Sequence, residues 1–383
     1  MTRYLIVFAV AAAVSTLTTP LIRRLAIRVG AVDIPDDRKV HIEPTPTMGG
    51  LAIYLALLAG LGTAYFMPSF REVFKTSSEA GGVLAGASII LVLGVVDDIL
   101  GLKAPTKLAG QLLAVAALVF SGVQVFYFWV PKLGIISLSS DLSSLLTVLW
   151  TIAMINAVNL IDGLDGLAAG VSAIASAAFF AYAFRAAGGV PSTAALLTAI
   201  VAGGCLGFLR HNFNPAKIFM GDSGSMLLGL LLASATVSGV GRTTEPQFSD
   251  FAGYVVPVLL PVVVLAIPLA DAMFAIFRRV RGRRPVFHAD KRHIHHWLLE
   301  MARGHRQAVL VMYLWSAMLG GAALALTYGR GPVARWTGFT LGVAFVASVL
   351  VLPRFLRPRT WEATEPGALA EAPVAPGERT GAP

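Results

Sequence analysis

Eleven stretches of this chain, each about 18 residues or longer, are apolar almost throughout: roughly 4–22, 48–67, 81–98, 105–123, 144–161, 165–185, 192–209, 223–240, 251–277, 307–328 and 334–352. Helices of that length span the hydrocarbon core of a bilayer. Backbone amides cannot stay unpaired in lipid, so runs of this kind are forced to be helical. Composition agrees: 56% of the 383 residues are hydrophobic and 13% are charged, about half the charged share of a soluble domain. Too few polar side chains exist to coat a water-soluble fold this large, and the same arithmetic excludes disorder for most of the chain. The expectation is an all-α polytopic membrane protein of about 11 transmembrane helices.

The formal net charge is +9, from 30 Lys and Arg against 21 Asp and Glu. In a membrane protein such an excess reports loop orientation, so no nucleic-acid partner is inferred. Eleven spans put the termini on opposite sides. With the N-terminus outside, the inner loops hold 22 of the 30 basic residues, nine of them within 278–306. The bias predicts an outer N-terminus and a cytoplasmic C-terminus. Segment 124–143 is too broken for a span, and Phe126, Tyr127, Phe128 and Trp129 suit the water–lipid interface. A transmembrane domain is expected over 1–352, followed over 353–383 by a cytoplasmic tail whose Pro-, Ala-, Gly- and Glu-rich composition is that of a disordered segment. The single cysteine, Cys205, lies inside an apolar run and can close no intrachain disulfide.

Under this topology five polar stretches face the cytoplasm: Asp33 to Gly50, Asp97 to Lys107, Asn156 to Gly166, Arg210 to Ser225 and Arg278 to Arg306. Carboxylates at membrane depth are costly, so they are functional candidates by default. Five loops in one compartment are expected to build one composite site.

Asp97 and Asp98 end the third span, at the negative end of its helix dipole, where a cation would relieve the conflict. Oxygen ligands suit Mg²⁺, although a solvated acidic turn is the plain alternative. Lys103 and Lys107 follow, as receptors for a lipid phosphate or as positive-inside anchors. Asp162 and Asp165 share a face of a helical turn, with Asn156 and Asn159 beside them to hydrogen-bond a base or sugar. Asp165 equally fits an N-cap of the sixth span. In Phe219-Met-Gly-Asp-Ser-Gly-Ser225 the eighth span starts, and its free amides are placed to receive phosphate. Asp222 there reads as a metal ligand or an ordinary N-cap, and Phe219 as a stacking platform or an interface anchor. The 278–306 stretch carries five of the seven histidines, three of them within four residues. It lacks Cys, so phosphate and sugar hydroxyls are a better match than zinc, while the arginines of 278–284 equally suit a lipid-headgroup patch.

Pro46-Thr-Met-Gly-Gly50, Asp97–Asp98, Asn156–Gly166, Gly221–Ser225 and His293-Ile-His-His296, in this order, resemble the polyprenyl-phosphate N-acetylhexosamine-1-phosphate transferase family across roughly residues 1–352. The His-Ile-His-His form is similar to the branch that uses UDP-GlcNAc and undecaprenyl phosphate. Gly101 departs from members that carry a third acid there, and Ile42-Glu43-Pro44 departs from the phospho-MurNAc-pentapeptide translocase branch. The resemblance implies an Mg²⁺-dependent enzyme, with Mn²⁺ as an alternative ion. It would work at the cytoplasmic face of the bacterial inner (plasma) membrane, as a homodimer in some members, and make undecaprenyl-diphosphate-GlcNAc and UMP.

Carried onto this chain, the resemblance assigns Asp97, Asp98 and Asp222 to the metal. It makes Asp97, Asp98, Asp165 and His296 the catalytic candidates. Asn156, Asp162, Asn212, Phe219 and Gly221 would hold the uridine. Arg292, His293, His295 and His296 would meet the sugar and its phosphate, and Lys103 and Lys107 the lipid phosphate. The alternatives are the same reaction on another UDP-sugar, such as UDP-MurNAc-pentapeptide, and a secondary transporter. Transporter acids sit near the midplane, whereas these cluster at one interface.

Overall fold

A computed structural model describes residues 1–35, 43–75, 77–130, 134–240, 266, 305–328 and 332–356. Its first helix, α1 (Thr2–Val29), ends on Gly30, whose left-handed backbone releases the chain into β1 (Val32–Asp33). This short strand pairs antiparallel with β2 (Thr45–Pro46). Next come α2 (Gly50–Phe66), a 3-10 turn (Pro68–Phe70) and α3 (Arg71–Lys75). Then follow α4 (Glu79–Leu100), α5 (Ala104–Phe120), the strands β3 (Tyr127–Val130) and β4 (Gly134–Ser137), and α6 (Ser140–Ile161). The described chain continues with α7 (Leu167–Ala186), α8 (Thr193–Asn212), α9 (Gly221–Val240), α10 (His305–Tyr328) and α11 (Pro332–Leu356).

Ten of the eleven apolar runs fall on helices, and 251–277 lies outside the described residues except for Ala266. Among the described residues, α1, α4, α6, α7, α8 and α10 are long and apolar enough to cross a membrane. A seventh is added if α2 and the 68–75 segment, bent by 96°, count as one span. The described residues are mostly helical, as expected, with two small two-stranded sheets added. In 124–143 the aromatic and β-branched residues favour strand, and Tyr127 pairs with Ser137 and Trp129 with Ile135 in a hairpin. Helix α11 ends at Leu356, four residues beyond the expected end of the transmembrane domain, and residues 357–383 of the expected tail lie outside the described residues.

Burial sorts the helices into inner and outer ones. In α8, 83% of the apolar window is buried inside the protein, against 28% in α1. On α1, Leu5, Leu17, Leu21 and Leu25 remain exposed, as lipid-facing side chains should. The two helices meet through Gly203 and Gly207, which lie directly over the carbonyls of Phe8 and Ala12. Small residues four apart let two backbones approach where no side chain fits. At the other end of these helices the chain makes its polar turns. The C-termini of α4, α6 and α8 gather there around the N-termini of α2 and α9.

Candidate active site

The start of α9 is the point on which this end of the bundle converges. Residues 45–50 lie along 218–220: Phe219 N donates to Pro46 O at 2.8 Å, Gly49 N to Phe219 O at 3.0 Å and Gly50 N to Met220 O at 3.0 Å. A Cβ at Gly50 would overlap the backbone of Ser223 and Gly224, and one at Gly94 of α4 the backbone of Asp222 and Ser223. These two glycines let α2 and α4 close on the same turn of α9. Gly221 has φ 71°, and a side chain there would strike Thr47 Oγ1 and the Asp98 carboxylate. Met48, buried beside Ala26 and Ala31, also has a left-handed backbone (φ 77°), an uncommon conformation for a residue with a Cβ.

Asp98 turns its carboxylate onto this turn. Asp222 N donates to its Oδ1 at 2.8 Å and Ser223 N to its Oδ2 at 3.3 Å. The expectation that the α9 amides stand free for phosphate is therefore corrected, since a carboxylate from α4 already caps two of them. Asp97 points elsewhere. Its Oδ1 accepts from Leu102 N at 2.5 Å, and its Oδ2 pairs with the Lys107 ammonium. The same ammonium pairs with Asp222 Oδ2. Lys107 reaches this point because α4 stops on Gly101, in the left-handed region, and α5 starts at once with Lys103 as N-cap and a proline in its first turn. Lys107 is one turn further on, back against the end of α4.

The other oxygen of Asp222, Oδ1, accepts from Asn159 Nδ2 at 2.6 Å, and the same amide donates to Ser225 Oγ at 2.9 Å. Asn159, expected to read a base or sugar, is thus turned inward onto an acid. Asn156, exposed on α6, donates to Gln111 Oε1 of α5 at 3.0 Å and to Ile152 O at 2.8 Å. Ser225 belongs to the Asp222 network and Gln111 pairs with Asn156 beside it, yet neither forms part of a paired-acid or histidine pattern. Gln111 is a single polar residue in an apolar run, which was the one available signal.

Asp162 closes α6 and is partly exposed. Burial of its carboxyl, with the charges of Asp222, Asp98 and Asp165 nearby, pushes its pKa up to about 8. Asp165 does not cap α7, whose N-cap is Gly166. Its Oδ2 accepts instead from Asn214 Nδ2 at 2.8 Å and Ala216 N at 3.0 Å. Asn212, expected against uridine, is buried, and both ends of its amide hold backbone: Gly166 N donates to it at 3.1 Å and it donates to Ile218 O at 2.9 Å. Phe219 is half-buried and Lys103 is exposed. From the fifth polar stretch, Arg306 Nε donates to Asn214 O at 2.8 Å. Arg292, His293, His295 and His296 lie outside the described residues, as do residues 36–42 of the first inner loop.

Among the described residues no group of three or more His, Cys, Asp and Glu side chains is arranged to hold a metal. Two carboxylates do converge: Asp97 and Asp222 each aim an oxygen at one cation, the Lys107 ammonium. Two carboxylates completed by substrate phosphates are a usual Mg²⁺ set. The donor chemistry fits that ion, with Asp98 committed to α9.

The central part of this arrangement, residues 80–240, matches the family model described as glycosyl transferase family 4. Over nearly the whole chain, the decaprenyl-phosphate N-acetylglucosaminephosphotransferase of Mycolicibacterium smegmatis is 40% identical, covering 90% of this chain and 87% of that protein. A Bacillus subtilis protein named "Probable undecaprenyl-phosphate N-acetylglucosaminyl 1-phosphate transferase" is 36% identical, over 85% of this chain and 86% of its own. The phospho-N-acetylmuramoyl-pentapeptide-transferase of Mycobacteroides abscessus is 32% identical, over 86% of this chain and 98% of its own. With 40% identity over 90% of its length, the chain belongs to glycosyl transferase family 4, the polyprenyl-phosphate N-acetylhexosamine-1-phosphate transferases.

Proposed function

We propose that this protein transfers GlcNAc-1-phosphate from UDP-GlcNAc to a polyprenyl phosphate, releasing UMP. The similarity to N-acetylglucosaminephosphotransferases is higher than that to the pentapeptide transferase and favours the GlcNAc donor. Relatives named for decaprenyl and for undecaprenyl phosphate both match, so undecaprenyl phosphate is one of two candidate acceptors. The observation that carries the reading is the joining of Asp97, Asp98, Lys107 and Asp222 from three helices at one end of an apolar bundle.

The chain is a multi-pass membrane protein. The finer topology is part of the proposal: eleven spans, N-terminus outside, and a transmembrane domain over 1–352 with a cytoplasmic tail. The active site then faces the cytoplasm at the inner membrane, where a long isoprenoid presents its headgroup from the bilayer. A homodimer is proposed from the resemblance alone.

An oxygen of the acceptor phosphate attacks the phosphorus that carries the sugar. The new phosphorus–oxygen bond forms as the bond to UMP breaks, and UMP leaves with the electron pair. A phosphomonoester has a second pKa near about 6, so the acceptor is largely dianionic at neutral pH and needs little help from a base. Both reactants are anionic, so positioning and charge neutralisation are the main work. Asp97 and Asp222 would hold Mg²⁺, or Mn²⁺, which when bound would supply charge neutralisation for the diphosphate. Asp98 acts through α9, fixing the turn that presents Asp222. Asn159 fixes the other oxygen of Asp222. Asn156, Asp162, Phe219 and Gly221 remain the proposed uridine contacts, whereas Asn212 is the staple that fixes the loops around them. Asp165 holds the 214–216 turn. Arg292, His293, His295 and His296 are proposed to meet the sugar and its phosphate, and Lys103 and Lys107 the lipid phosphate. UMP release by the purified protein, supplied with each polyprenyl phosphate, Mg²⁺ and a panel of UDP-sugars, tests the reading. Release only with UDP-MurNAc-pentapeptide would overturn it.

A further inference from the structure

We propose that Lys107 is a built-in counter-cation that competes with the divalent ion: its ammonium joins the Asp97 and Asp222 carboxylates when no metal is bound and must leave them for metal to bind. The identity of the ion rests on the transferase reading above, but the test reads binding and not turnover.

The geometry points this way for three reasons. Asp97 and Asp222 come from different helices, and side-chain exposure is only 3% for Asp97 and 28% for Asp222. Two carboxylates brought together in such a place repel and pay for desolvation, unless a cation lies between them. Lys107 supplies that cation to both at once. Secondly, the same two oxygens that face the ammonium are the pair able to ligate a metal, because Asp222 Oδ1 is taken by Asn159 and Asp97 Oδ1 by Leu102 N. Ammonium and divalent ion therefore contend for one place, and their mutual repulsion prevents sharing. Thirdly, the residue is a lysine. Its compact charge on four methylenes can swing away, whereas the planar fork of an arginine would pair in a fixed geometry. At 28% exposure the Lys107 side chain has solvent to swing into.

Two consequences follow. Metal-free protein keeps its acids preorganised, so the site does not splay while it waits for an ion. The measured metal affinity is also weaker than the site's intrinsic affinity, because the ammonium has to be displaced first. The acceptor phosphate, by receiving the displaced ammonium, should tighten metal binding, and by reciprocity metal should tighten the acceptor phosphate.

The experiment is a calorimetric titration of Mg²⁺ into the purified full-length protein without nucleotide. Lys107→Met should bind Mg²⁺ about tenfold or more tightly than wild type, because no ammonium then has to be displaced from the two carboxylates. Lys107→Arg keeps the charge and should bind no more tightly than wild type. Lys75→Met, on α3, controls for loss of a lysine elsewhere and should leave the affinity unchanged. In EDTA the Lys107→Met protein should melt below wild type, and Mg²⁺ should raise its Tm by more than it raises that of wild type. Lys107→Gln repeats the titration if the methionine variant fails to fold. Wild-type or weaker Mg²⁺ affinity in the neutral variants overturns the proposal, as does tighter binding in Lys107→Arg or the absence of binding in every form. A wild type that binds Mg²⁺ but releases no UMP from any UDP-sugar defeats the transferase reading and leaves the displacement result standing.

Discussion

Truncating Asn159 to alanine isolates one support of Asp222 and leaves the rest in place. The amide donates to Asp222 Oδ1 at 2.6 Å, while Lys107 keeps hold of Oδ2. A hydrogen bond to a charged group contributes about 1.5–3 kcal/mol. The Asp222 side chain is 28% exposed, so water recovers part of the loss and the lower half of that range applies. If the bond holds Asp222 where the transition state needs it, kcat/KM falls about 10- to 50-fold, at about 1.4 kcal/mol per factor of ten. The activity is not abolished, because the lysine still positions the carboxylate. Asn159 also donates to Ser225 Oγ, which in turn donates to Gly221 O at 3.0 Å. Ser225→Ala should therefore cost less than Asn159→Ala, and the two effects should not add. Asn159→Asp places a second carboxylate against Asp222 and should lose more activity than Asn159→Ala. UMP release at saturating acceptor gives the rates, and a thermal melt shows that each variant is folded. Asn159→Ala within twofold of wild type, with an unchanged melt, would refute the claim that this amide positions Asp222.

Three further outcomes are expected. Gly50→Ala drives a methyl into the backbone of Ser223 and Gly224; overpacking of this kind costs about 1–3 kcal/mol, so the variant should melt lower and lose activity, whereas Gly62→Ala, with open space at its Cβ, should do neither. Asn212→Ala leaves Gly166 N and Ile218 O without their partner at about 1–3 kcal/mol for each buried group; Tm should fall while the KM for UDP-GlcNAc in the folded fraction stays near wild type, and a raised KM with an unchanged Tm would restore the uridine role. Asp162 has its pKa raised from 3.8 to about 8, so the folded metal-free protein binds more protons than the unfolded chain between those values and loses stability as pH rises through that window; Asp162→Asn in EDTA should gain Tm over wild type at pH 9 but not at pH 4, and parallel curves would count against the shift.

The sequence made the apolar helices legible because membrane depth imposes a length that single residues cannot hide. It also brought the Pro46–Gly50, Asp97–Lys107, Asn156–Gly166 and Arg210–Ser225 stretches to one end, through nothing more than the alternation of spans. What it did not disclose is which way each polar side chain turns. Asp97 and Asp98 are neighbours in the chain, yet about 100° apart around a helix, so one faces Lys107 and the other α9. Asn212 has the same chemistry as Asn156 and lies in an equally polar stretch, but it is buried as a staple. The pairing of Tyr127–Val130 with Gly134–Ser137 was hidden because a two-stranded pair leaves no periodic apolar signal as long as a span. Gln111 was hidden because one polar residue in an apolar run has no partner until α5 and α6 are set side by side.

The end of α4 and the start of α9 resolve each other's electrostatics, and this bears on how two anions are made to react. Two carboxylates at a helix C-terminus face the partial negative charge of its dipole. Asp98 escapes by reaching the partial positive end of α9, and Asp97 by taking Leu102 N and Lys107. Two of the α9 amides, and with them part of the positive field of that terminus, are thereby engaged within the protein. Substrate phosphates can be met by charges that are still able to move, and in the described part of the site the Lys107 ammonium is one such charge. Negative charge shifts during transfer from the attacking oxygen to the departing UMP. A rigid amide cradle would favour one end of that path. An ammonium on a flexible stem can follow it from acid to phosphate and back. Lys107→Arg, which keeps the charge but gives up that freedom, should therefore lower kcat while leaving Mg²⁺ affinity no tighter, and an arginine variant with undiminished kcat would show that the mobility is not needed.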